Sequence, residues 1–172
     1  MTAVAAGSLG VVIAIPGPLA QQLHQWRAGF GEAAAGLVPP HVTILTHGLA
    51  DDVDTAVGAV AAVAARTEPF TVVLRGAGSF LPRSPVAYLR LAEGARECVV
   101  LHEGIVAAGI ASGAAFPYHP HVTLAQGVDR LSLDEALIRF AGFAATFPAR
   151  TLGVYRAGET AWEQVGEVPL GG

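Results

Sequence analysis

Pro40-His41-Val42-Thr43-Ile44-Leu45 and Pro120-His121-Val122-Thr123-Leu124-Ala125 are two copies of one phrase, set near the middle of each half of a 172-residue chain. Alanine and valine abound here, so an apolar repeat alone would say little. Histidine is scarce, with 6 in the whole chain, and a repeated His-x-Thr therefore stands out from the composition. On a strand, side chains two residues apart leave on the same face, so each copy presents an imidazole beside a hydroxyl. Two such pairs facing one cleft make an acid/base site.

The sequence around the two copies follows one order. Ser8 to Ile15 reads as a buried strand; Pro16-Gly17-Pro18 turns it into a helix whose Leu19, Leu23, Trp26 and Phe30 keep helical spacing. Val38 to His47 is the first motif strand. Asp51 and Asp52 can cap a helix in which Val53, Val57, Val60 and Ala64 share an apolar face, and Phe70 to Leu74 is a further strand. The second half repeats this with a strand at Pro85 to Leu91, a helix from about Glu93 to Ile110, and a motif strand at about Pro120 to Gln126. Ser132-Leu133-Asp134-Glu135 has the form of a capping box opening a helix through Leu137 and Phe140. Strands at Arg150 to Tyr155 and Trp162 to Val168 close the chain. The expectation is one domain spanning 1–172, made of two pseudo-symmetric lobes whose repeat halves are about 1–84 and 85–172, with a cleft between them. A doubly wound parallel sheet is the other arrangement that interleaved strands and helices allow. Gly76-Ala77-Gly78 does not support it, since that run lacks the remaining glycine and a clear following helix.

Composition narrows the function classes. A hydrophobic content of 52% is ample for a buried core. Leu9 to Ile15 is too short to cross a bilayer and has no basic flank before it, so no membrane association is expected. Cys98 is alone, which excludes an internal disulfide framework and fits a cytoplasmic location. All 10 basic residues are arginines and the formal net charge is −4, which argues against a long nucleic-acid groove. Guanidinium forks still suit a small phosphate.

The chemistry of the repeat points to phosphoryl transfer. Imidazole titrates near pH 6.5, so one histidine can take a proton from water while the other gives one to a leaving ribose oxygen. Thr43 and Thr123 can donate to the nonbridging oxygens, stabilising charge without a metal or other cofactor. On the paired His-Val-Thr-Ile and His-Val-Thr-Leu phrases, their separation, their flanking prolines and the strand-helix-motif order, the chain resembles the two-histidine phosphoesterases, which include 2'-5' RNA ligases and cyclic phosphodiesterases. The resemblance implies an α+β fold with two antiparallel sheets lining a central cleft and helices outside. It carries His41, Thr43, His121 and Thr123 into catalytic positions, with a nucleotide or short RNA end bearing a 2',3'-cyclic phosphate as substrate. RNA ligation at a 2'-5' linkage and a noncatalytic nucleotide or RNA-end binding module are the alternatives. His121 is taken as base and His41 as acid.

Several residues stand outside the repeat. Where many relatives have a basic residue after the second motif, this chain has Gln126. His47 shares strand parity with His41 and Thr43 and is a candidate to line the cleft, or else a strand-end surface residue. His119 and His121 form a His-x-His pair that could hold zinc, although no carboxylate or cysteine on those strands completes a site. The other role for His119 is at the rim. Tyr88 and Phe80 are candidates to stack on a base, or else to pack in the core. His24 and His102 lie within predicted helices and take surface or packing roles.

Overall fold

The structure, a computed structural model, describes residues 8–32, 38–50, 52–158 and 161–171. Among the described residues nine strands form two sheets, and every pairing is antiparallel. Strand β1 is Leu9–Ala14, followed by helix α1, Gly17–Gly29, with Pro18 in its first turn. The first motif opens β2, His41–Leu49. Helix α2, Val53–Ala64, buries Ala56, Val60 and Ala64, and its cap is Asp52, whose carboxylate accepts the Thr55 amide at 2.7 Å. Asp51, the other expected cap, lies outside the described residues.

Next come β3, Phe70–Ser79, β4, Val86–Glu93, helix α3, Ala95–Ala107, and a two-residue β5, Ala111–Ser112. The second motif opens β6, His121–Gln126, before helix α4, Arg130–Arg139, and strands β7, Ala144–Ala149, β8, Thr151–Ala157, and β9, Trp162–Pro169. The five-stranded sheet runs β5-β2-β1-β8-β9 and the four-stranded sheet β6-β4-β3-β7. Their antiparallel order rules out the doubly wound parallel alternative.

Each sheet takes strands from both ends of the chain. Residues 1–84 and 85–172 are therefore not the two lobes: β3 crosses into the sheet of the second motif, and β8 and β9 return to the sheet of the first. The neighbours β3 and β4 straddle the expected boundary, because a short connection between antiparallel strands keeps them paired. The motif strands themselves sit one in each sheet and pack close to one another.

Three further differences have local causes. Asp129, not Ser132, caps α4: its carboxylate accepts the Ser132 amide at 2.8 Å, leaving Ser132 inside the first turn. Strand β7 has an alanine-rich sequence containing Pro148, which hides it from propensity. It is an edge strand, where a missing ladder donor can be tolerated. Strand β3 runs on through Gly76-Ala77-Gly78, which reads as turn sequence, because a register shift between Leu74 and Ala77 absorbs Gly76 at φ +66°.

Candidate active site

Both motif strands alternate in the same way. His41 and Thr43 are partly exposed while Val42 and Ile44 are buried; His121 and Thr123 are partly exposed while Val122 and Leu124 are buried. The apolar members fill the core, so the polar members are forced onto the cleft face.

The two imidazoles are held in the same manner. His41 Nδ1–H donates to the Pro39 carbonyl at 2.7 Å, and His121 Nδ1–H donates to the His119 carbonyl at 2.7 Å. A carbonyl can only accept, so both rings have one tautomer, with Nε2 left for chemistry. Thr43 Oγ1 lies 3.1 Å from His41 Nε2 and, in that tautomer, donates to it. Burial is the main influence lowering both pKa values, and it takes His41 from 6.5 to about 4. Arg27 and the charge of His121 push His41 further down, while the charge of His119 adds to the lowering of His121. In the free protein at pH 7 His41 is neutral.

Aromatic rings wall each histidine. The Phe80 and Tyr88 ring centres lie 4.9 and 5.4 Å from that of His121, and Trp162 lies 6.0 Å from His41. Glycine makes both approaches possible. A Cβ on Gly10 would come within 2.5 Å of the Trp162 ring, and one on Gly78 within 2.9 Å of the Tyr88 ring. Tyr88 is buried and pairs with Thr123 across β4 and β6, while exposed His119 packs 5.5 Å from Phe80 and from Tyr88. Tyr88 and His119 therefore stand beside His121.

His47 does not follow the parity expected of it. Consecutive burial of Ile44 and Leu45, register shifts against β1, and a φ of +53° at His47 break the alternation, and the His47 carbonyl accepts the Gly113 amide. That places it at the β5 end of the strand. His119 and His121 share no third His, Cys, Asp or Glu in a metal-holding group among the described residues. His24 is exposed, as expected of a surface residue.

Sequence reasoning missed four contributors. Arg27 is buried, forks onto buried Glu32 at 2.8 and 3.2 Å, and donates to the Val38 carbonyl at 2.8 Å, tying down the Pro39-Pro40 entry to the first motif. Tyr118, three residues before His121, donates its hydroxyl to the Thr43 carbonyl at 2.8 Å. His102, stacked on Tyr118 with ring centres 4.1 Å apart, donates from Nδ1 to the Ile44 carbonyl at 2.8 Å. Trp162 is the fourth. Only Gly10, a glycine inside an apolar strand, hinted at a large side chain lying over it.

The profile of the 2'-5' RNA ligase superfamily matches residues 15–161, a span containing both motifs. The chain belongs to the 2'-5' RNA ligase superfamily. A Bacillus cereus (strain B4264) protein named "Putative phosphoesterase" is 30% identical over 122 residues, 70% of each chain. Escherichia coli LigT, solved with 3'-AMP, superposes with a TM-score of 0.69 at 24% identity, covering 96% of this chain and 98% of that one. TT0787 of Thermus thermophilus gives the same TM-score at 20% identity, with the same coverage. The fold of this superfamily member is thus α+β, with two antiparallel sheets about the cleft.

Proposed function

We propose that the protein is a metal-independent phosphoesterase that opens a 2',3'-cyclic phosphate, or a related cyclic phosphodiester, at a nucleotide or short RNA end. The observation that carries this reading is the matched pair of imidazoles, each anchored at Nδ1 by the carbonyl two residues before it and presenting Nε2. A binding module has no use for two proton carriers prepared alike. The relative named as a phosphoesterase and the nucleotide in the LigT structure support the substrate class.

In this reading His41 Nε2 takes a proton from water as the water oxygen attacks phosphorus. His121 Nε2–H gives its proton to the ribose 3' oxygen as the P–O3' bond breaks, leaving a 2'-phosphate. Bound phosphate draws the Thr43 hydroxyl off His41, freeing that lone pair for water, and Thr123 donates from the other sheet. This order of roles is the reverse of the one expected from sequence. Arg27 opposes a proton at His41 and is not among the causes that lower His121, so the base role goes to His41 and the acid role to His121.

Purified protein is to be screened against nucleoside 2',3'-cyclic phosphates, ADP-ribose cyclic phosphate and 2'-5'-linked oligonucleotides, with the position of the product phosphate determined. Turnover to 2'-phosphates that survives exhaustive chelation is the expected result. Binding without turnover, or activity lost on chelation and restored by zinc or manganese, would overturn the reading.

A further inference from the structure

On β4 the residues directly opposite His121 and Thr123 are Arg90 and Tyr88. Directly opposed residues of an antiparallel pair share a face, so Arg90 stands on the cleft face beside His121. Its guanidinium reaches across the glycines of β3: a Cβ on Gly78 would lie 3.0 Å from Arg90 Nε, and one on Gly76 3.7 Å from Nη1. Arg90 also lines a pocket of about 350 Å³ together with Arg96, Tyr88 and His119, and Leu91 and Val99 supply an apolar wall. Among the described residues no acidic side chain lines it. Ion pairs among the described residues engage Arg27, Arg130, Arg139 and Arg156, and leave Arg90 and Arg96 without a carboxylate.

The pocket adjoins the catalytic cleft. Tyr88 and His119 belong to both, with ring centres 5.4 and 6.3 Å from that of His121. Strand β6 itself ends on Gln126 and carries no arginine, so the positive charge beside the second motif comes from β4 and α3. The pocket's volume is at the lower end for ligand sites, which suits one small charged group and part of a sugar. Guanidinium forks converge best on phosphate oxygens.

We propose that this pocket holds a second phosphate of the substrate: the one on the 5' oxygen of the nucleotide whose 2',3' edge lies at the two histidines. That phosphate is either a terminal monoester or the link to a preceding nucleotide, and its recognition chemistry is the same. The proposal rests on reading the cleft as a nucleotide site, so it is tested by binding, without turnover.

Calorimetry would compare adenosine 2'-phosphate, adenosine 2',5'-bisphosphate and the diadenosine dinucleotide carrying a terminal 2'-phosphate. At least one of the two-phosphate ligands should bind wild-type protein about tenfold more tightly than the monophosphate, and the larger gain identifies monoester or linkage. Arg96→Gln should shrink the gain and Arg90→Gln/Arg96→Gln should erase it, while Arg66→Gln, an exposed arginine past the end of α2, should keep it. Equal affinity for all three ligands, no binding of any, or a full gain surviving in the double variant would overturn the subsite. Turnover of a cyclic phosphate by the same wild-type preparation judges the catalytic reading separately.

Discussion

At His41 and His121 the ring nitrogen facing the backbone is committed to a carbonyl, so each substitution removes a proton carrier without removing a core side chain. His41→Ala and His121→Ala should each lower turnover by about 10² to 10⁴ while circular dichroism stays native. A substrate with an activated leaving group separates the roles, since such a group departs without an acid. His121→Ala should recover most of its loss on that substrate and His41→Ala should not; the opposite pattern restores His121 as base. The pH dependence follows from the lowered pKa values. In the proposed mechanism the active free enzyme holds one proton on the pair, and both histidines titrate below their ordinary value, so kcat/KM should peak on the acid side of 6.5 and fall towards neutrality. Thr43→Val and Thr123→Val should lower the rate while keeping both limbs of the profile, because neither hydroxyl titrates there.

Strands β2 and β6 belong to different sheets, and a side chain ties them at the site. Tyr118 leads directly into β6 and grips the Thr43 carbonyl, while His102 of α3 grips the next carbonyl along β2. Tyr118→Phe keeps the ring stacked on His102 and deletes the hydroxyl. It should lower kcat by about tenfold with KM little changed, because the two proton carriers lose register with each other more than they lose substrate contacts. An unchanged kcat, with only a lower melting temperature, would assign the bond to stability alone. Asp129→Ala, which removes the cap of α4 and touches no bond between the motif strands, provides the contrast. It should lower the midpoint of denaturant unfolding and leave kcat alone.

Across the whole molecule the site opposes stability in acid. His41 has a folded pKa of about 4 against 6.5 unfolded, so the unfolded chain binds its proton first. The stability due to its neutral form is present above pH 6.5 and is lost as pH falls from 6.5 to about 4. The melting temperature of wild-type protein should fall over that window more steeply than that of His41→Gln; parallel curves would remove His41 from the account. The four catalytic candidates, the order of the elements other than β5 and β7, and the face each motif shows were legible in the sequence, because a period of two and a scarce residue repeated are local properties of the chain. Pairing is not local. Nothing in Phe70–Ser79 tells which sheet it joins, and β7 is a strand only because β3 offers an edge to Phe147 and its neighbours. His47 kept parity on paper and lost it where β2 shifts register against β1. Arg27, Tyr118, His102 and Trp162 likewise gained their roles by meeting backbone or rings far along the chain. The sequence by itself determined which groups can move protons and how each motif strand alternates. Only the tertiary structure decided that the two motifs meet, which neighbours hold them, and that burial lowers both histidines while a buried arginine adds to the lowering at His41, since desolvation and Coulomb interactions depend on distance in space.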